Sequence, residues 1–186
     1  AILGVTAAGI GGVVDEVIMR FVDIMLSFPT LILAIVIAAF WGGSLTTAVV
    51  AIVISWWPYP ARLIRGTAMS IRQRPYVRAA ESIRTSKFKI IFRHIMPASV
   101  GPLLVTASLD IGMVILALAT MSFLGVGAQP PSCEWGLTIT QSRDYFMLAP
   151  WYMAFPGLAI TITVLAFNLL GDGLGEVLNP KTRGRA

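Results

Sequence analysis

From Val13 to Phe28 the chain repeats apolar positions with a helical period. Val14, Val17, Ile18, Phe21, Ile24, Met25 and Phe28 recur at spacings of three and four, while Asp15, Glu16, Arg20 and Asp23 take other faces. This predicts an amphipathic helix on which Glu16 with Arg20, and Arg20 with Asp23, stand at pairing distance. Thr30 to Phe40 is apolar except for its threonine. The run is too short alone, so it joins the helix before it as one kinked span with Pro29 at the kink. Trp41 to Ser44 form a turn, and Leu45 to Ile64 make a second span, which at about 1.5 Å per residue reaches about 30 Å. Trp56, Trp57 and Tyr59 near its end suit the headgroup level, and Pro58 and Pro60 disturb the helix there. A polar, cationic segment with short helical pieces follows and stops at Pro97. Val100 to Leu124 is a third span with Thr106, Ser108, Asp110, Thr120 and Ser122 as its only polar side chains. Gly125 to Pro150 reads as a loop, and Trp151 to Leu170 as the last span, with Pro156 early in it. Gly171 and Gly173 are expected to end that helix beside Asn168 and Asp172.

Composition turns these spans into a class. Of 186 residues 56% are hydrophobic and 12% charged. The mean hydropathy is +0.81. Soluble domains carry about 25% charged residues, so an all-α, polytopic membrane protein is expected. The apolar run Ala1 to Ile10 is too short to span, which predicts a helix entered part-way and a single transmembrane domain over residues 1–186 that is incomplete at its N-terminus.

Charge placement orients the chain. Nine of the fourteen Lys and Arg residues lie between Arg62 and Arg93, so that segment is expected in the cytoplasm. Two spans later the tail, with Lys181, Arg183 and Arg185, returns to the same side. The loop from Gly125 to Pro150, carrying Glu134, Arg143 and Asp144, is then outside a multi-pass cell-membrane protein. The single cysteine, Cys133, excludes an intrachain disulfide.

Transport against a gradient needs an energy source. A phosphate-cradling loop requires Gly-Lys before Ser or Thr, but Lys87, Lys89 and Lys181 follow Ser86, Phe88 and Pro180. ATP is therefore not held here in that way. Beyond Asp23, Asp110 is the one ionisable residue far from any span end. It either lines a wet path or is a satisfied carboxylate, bonded to Thr106 one turn away or to another subunit. An ion-coupled secondary transporter is the alternative this residue keeps open. His94, the only histidine, lies in the cationic segment, which rules out an intramembrane hydrolase built from Ser108, Asp110 and a histidine. Cys133 beside Glu134 is too few ligands for a metal. No catalytic residue, metal, cofactor or nucleic-acid partner is expected.

The cationic segment YVRAAESIRTSKFKIIFRHIMP has small residues at Ala79, Ala80, Ser82, Thr85 and Ser86, then apolar ones at Phe88, Ile90, Ile91, Phe92 and Ile95. Small side chains admit another protein's surface, and the apolar group needs burial. A solvated loop held at the lipid surface is the simpler account.

This segment resembles the EAA motif of ABC importer permeases: EAA, then Gly, then a hydrophobic pair before Pro. MRFVDIMLSFP, WWPYPARLIRG, SFLGVGAQPPSCEWG and FPGLAITITVLAFNLLGDGL resemble the dipeptide, oligopeptide and nickel permease family, in the family's order along essentially the whole chain. The resemblance implies a type I ABC importer permease fold working by alternating access. It also implies a sister permease in a heterodimer, two cytoplasmic ATP-binding subunits and an external solute-binding protein. Its cargo would be a peptide, a nickel chelate or a sugar. Residues 65–97 would hold the coupling helix that docks on the ATPase, with Arg78, Ala79, Ala80, Glu81, Arg84, Thr85, Ser86, Phe88 and Pro97 as its coupling set. Ala79, Ala80 and Thr85 are expected in or beside the ATPase groove. Ala79, Ala80, Ser86 and Pro97 match the motif. The motif's leading Glu falls on Arg78, with Glu81 one turn later to pair with it, and its Gly falls on Arg84, where another turn conformation is expected. Pro130, Pro131 and Trp135 would shape an outer loop facing the binding protein or sister subunit.

Overall fold

The computed structural model describes residues 2–178, which are helical with no strand among them. The basic tail from Lys181 lies outside the described residues. The helices are α1 (Ile2–Ile10), α2 (Gly12–Leu26), α3 (Thr30–Phe40), α4 (Leu45–Trp56), α5 (Pro58–Arg72), α6 (Pro75–Ser82), α7 (Lys87–Ile90), α8 (Met96–Phe123), α9 (Trp135–Gln141) and α10 (Trp151–Leu178). A π turn covers Ile91–Ile95 and a 3-10 turn Arg143–Tyr145.

Among the described residues, three helical stretches are long and apolar enough to cross a membrane: Leu45–Arg72, Lys87–Phe123 and Trp151–Leu178. Taken together, the broken pair α2 and α3 makes a fourth. Only 11% of the most apolar window is buried in each of the last two stretches, so lipid or another subunit must cover the rest. Leu104, Ile111, Leu158, Ile162, Leu165 and Leu169 are among the exposed residues concerned.

Several boundaries differ from the expectation, each through proline or glycine chemistry. α2 stops at Leu26 and α3 starts after Pro29, so this is a break between two helices rather than a kink in one. Pro58 occupies the first turn of α5, where no donor is needed, and the second span runs on to Arg72. Pro97 does not stop a helix. It sits in the first turn of α8, and the π turn just before it widens the backbone where the ring would meet a carbonyl four residues back. α10 continues through Gly171 and Gly173 to Leu178, because neither glycine takes the left-handed conformation that closes a helix. Gly171 serves close packing instead: it is buried, and an added Cβ would lie 2.9 Å from Leu109 Cδ2 on α8. Asn168 and Asp172 therefore lie inside a helix, not at its end.

The chain forms two compact units, each discontinuous in sequence. One takes residues 2–27, 57–107 and 172–178, and its core joins Val5, Ala8, Ile64, Ala68, Ile71, Val77, Ala80, Ile90, Ile91 and Ile95. The other takes residues 28–56 and 108–171 and packs α3, α4 and α8 through Ala34, Ala38, Ala48, Ala51, Ile52, Ala117 and Met121. Alanine dominates this second core because small side chains let helix backbones approach closely where lipid removes any hydrophobic advantage.

Charges on α2 pair across to α5, not along α2. Arg65 grips Asp15 with Nε and Nη2, and Arg62 pairs with Asp23. The expected Glu16–Arg20 and Arg20–Asp23 pairs do not form among the described residues. Arg65, reaching from a neighbouring helix, presents a fork to Asp15, whereas pairs along one helix contribute only about 0.2–0.5 kcal/mol.

Candidate functional site

The segment from Pro75 to Arg93 folds as a short helical pair on the first unit. Arg74 is extended and Pro75 starts α6 with its φ already set for a helix. Val77 and Ala80, three residues apart, face the core, while Arg78, Ala79, Glu81 and Ser82 are exposed. The sequence reading treated Ala79 and Ala80 alike, but only Ala79 is available to a partner.

α6 ends in a Schellman cap: Thr85 N–H donates to the Ala80 carbonyl at 3.1 Å and Arg84 N–H to that of Glu81 at 3.0 Å. Arg84 takes the left-handed position at φ 57°, which corrects the expectation of another conformation. An L-residue there costs about 1–2 kcal/mol relative to the right-handed helix. The turn keeps the geometry that glycine favours and holds an arginine in it. Ser86 then caps α7, its Oγ accepting from Lys89 N–H at 3.4 Å.

The apolar residues after the cap divide between core and surface. Ile90, Ile91 and Ile95 are buried with Val77 and Ala80. Phe88 stays 72% exposed, with its ring centroid 4.4 Å from that of Phe92. Ile83 is 79% exposed and was missed in the sequence. Its spacing of three from Ala80 suggests burial, but α6 ends at Ser82 and the chain leaves that face. An apolar residue just before the motif's glycine position was the available signal. Ala79, Ile83, Arg84 and Phe88 are thus exposed, and Thr85 is partly so.

Glu81 pairs with Arg72 on α5 at 3.0 Å, not with Arg78. Arg72 is already held by the Ala8 carbonyl at 3.2 Å, so it forfeits less freedom on pairing. Lys87 Nζ donates to the Ile10 carbonyl at 3.2 Å, so these two cations take two of the C-terminal carbonyls of α1. Arg78 lines a recess of about 190 Å³ with Arg72, Gln73 and Glu81. Pro97 lines a cleft of about 700 Å³ with Arg74, Thr67, Thr106 and Gly175.

Asp110 is partly buried on α8 beside the Trp56 indole. Thr106 does not bond it: its hydroxyl donates to the Pro102 carbonyl at 3.0 Å. His94 packs near Tyr76, ring centroids 6.2 Å apart. Glu134 is engaged as the cap of α9, its two oxygens accepting from Gly136 and Leu137 N–H at 2.9 Å each, while Cys133 beside it is exposed. Pro130, Pro131 and Trp135 are exposed on the same loop. Trp135, Tyr145, Trp151, Tyr152 and Phe155 line an aromatic cavity of about 710 Å³.

A family model described as the binding-protein-dependent transport system inner membrane component matches residues 1–184. The chain belongs to this family. The helical membrane fold is the family's permease fold. A probable D,D-dipeptide transport system permease protein of Escherichia coli (strain K12) is 46% identical over 185 residues, covering 100% of this chain and 62% of that protein. A glutathione transport system permease protein of Pectobacterium atrosepticum is 44% identical over 181 residues, covering 97% of this chain and 60% of its own length. A dipeptide transport system permease protein of Alkalihalophilus pseudofirmus is 43% identical over 181 residues, with 97% and 60% covered. This member of the permease family thus spans about 60% of the length of these relatives.

Proposed function

We propose that the chain is the membrane-spanning part of a permease subunit in an ATP-driven importer, moving a peptide or similar small solute by alternating access. It acts as one permease domain over residues 1–186. ATP is hydrolysed on two separate cytoplasmic subunits, a sister permease completes the pathway, and an external binding protein delivers the solute. Relatives named for dipeptides and glutathione support the cargo class, and none supports an ion-coupled mechanism. Asp110 lines the translocation path in this reading.

One observation carries the coupling role of residues 65–97. The pair α6 and α7 buries its own apolar face in the chain yet leaves Ile83 and Phe88 bare beside exposed Ala79 and Arg84. A partner must cover that surface. An Ile83→Cys variant, in a Cys133→Ser background and assembled with its ATPase subunits, is expected to form a short-spacer crosslink to an ATPase subunit. Crosslinking absent in the assembled complex would remove the coupling role.

The same reading places the cationic segment in the cytoplasm and residues 125–150 outside. Cys133 is exposed, so an impermeant maleimide is expected to label it in intact cells and not to require inverted vesicles. Labelling confined to inverted vesicles overturns the orientation.

A further inference from the structure

Arg84 combines three properties. It holds the left-handed backbone position of a helix cap at φ 57°, where glycine is the unstrained choice. Its side chain is exposed and, unlike Arg62, Arg65 and Arg72, has no ion-pair or hydrogen-bond partner among the described residues. It directly follows Ile83, the most exposed apolar residue of the segment. The cap's two backbone hydrogen bonds hold the conformation, and a residue kept there against its own preference is a candidate functional position. Phe88, four residues on, is likewise 72% exposed.

We propose that Arg84 pairs with a carboxylate on the ATPase subunit, making this permease selective for an ATPase whose docking groove carries an acidic residue at its edge. The inference rests on the coupling role proposed for α6 and α7. Recognition follows from chemistry. An exposed guanidinium on a tight cap, flanked in sequence by bare apolar residues, offers paired donors that a carboxylate accepts. A charge at the rim of an interface governs specificity and salt dependence, while the apolar neighbours exclude water around it.

Arg84→Gly separates this role from a purely structural one, because the two predict opposite signs. Glycine relieves the cap, so a structural role predicts a permease at least as stable as before and an ATPase affinity unchanged or improved. The proposed pair predicts the same stability with affinity weakened about five- to tenfold at low salt. The permease pair in nanodiscs is titrated with purified ATPase subunits at low and high sodium chloride, alongside thermal midpoints. Weakening by Arg84→Gly at low salt, with convergence to the parent at high salt, supports the pair. Equal or tighter binding at low salt overturns it. The Ile83→Cys crosslink distinguishes the two failures: crosslinking with normal Arg84→Gly affinity removes only the arginine's part, and absence of crosslinking removes the coupling role with it.

Discussion

Asp15→Ala is expected to destabilise the chain by about 2–3 kcal/mol, whereas Asp23→Ala costs no more than about 0.5 kcal/mol. Both carboxylates sit on α2 and both pair with arginines of α5, so sequence position alone does not separate them. Burial does. The Asp15 side chain is 15% exposed and that of its partner Arg65 29%, against 53% and 52% for Asp23 and Arg62. Arg65 holds Asp15 with both Nε and Nη2, one to each carboxylate oxygen, a geometry that fixes direction as well as charge. Removing Asp15 leaves a half-buried guanidinium without its acceptor. Removing Asp23 returns an already wet arginine to solvent. Asp15 also lies in the first turn of α2, where a negative charge faces the positive helix end. The comparison is read from thermal midpoints of the purified protein, with a double-mutant cycle on Asp15→Ala and Arg65→Ala to isolate the pair. Equal losses for Asp15→Ala and Asp23→Ala, or an additive cycle, contradict this account.

Gly136→Ala is expected to cost about 3 kcal/mol or more, although it adds one methyl group. Gly136 is buried in the first turn of α9, and its new Cβ would crowd the Ala119 carbonyl oxygen while lying 2.6 Å from Ala119 Cα. These are backbone atoms near the C-terminal end of α8, so no rotamer change can make room. Either α9 lifts from α8, breaking the Thr140 hydroxyl contact to the Ser122 carbonyl at 3.4 Å, or the long helix bends. Gly66 is the control. It lies within α5 with nothing inside 4 Å of an added Cβ, so Gly66→Ala gains helix propensity of about 1 kcal/mol and meets no obstacle. Faster proteolysis of the 125–150 loop in Gly136→Ala, with a lowered thermal midpoint, is the expected signature. A midpoint as high as that of Gly66→Ala rejects the close approach.

Overpacking bears on the segment proposed to couple to the ATPase as well. Ala80 is only 9% exposed and belongs to the core with Val77 and Ile91. A bulky residue there disturbs the chain's own packing before it reaches any partner. Docking is better tested at Ile83 and Phe88, where the side chains already lie outside the core.

Membrane class, the apolar cores of the spans, the turn at Trp41 to Ser44 and the clustering of cations from Arg62 to Arg93 were all legible in the sequence. Each depends on averages over some twenty residues or on local turn chemistry, and such quantities survive ignorance of what packs against what. The fates of individual side chains did not follow from the same evidence. Asp15 pairs with Arg65, fifty positions away, and Asp23 with Arg62, thirty-nine away, although Arg20 offered a local partner. Glu81 turned to Arg72 because that arginine was already pinned by the end of α1. Of two adjacent alanines one is buried and one bare, since α6 has a single face toward the core. Gly171 closes on Leu109 within a continuing helix instead of ending it, and Pro97 is absorbed by a π turn. In each case the deciding energy is a contact with a residue distant along the chain, or the path of the backbone around it. Only the tertiary structure brings those groups together.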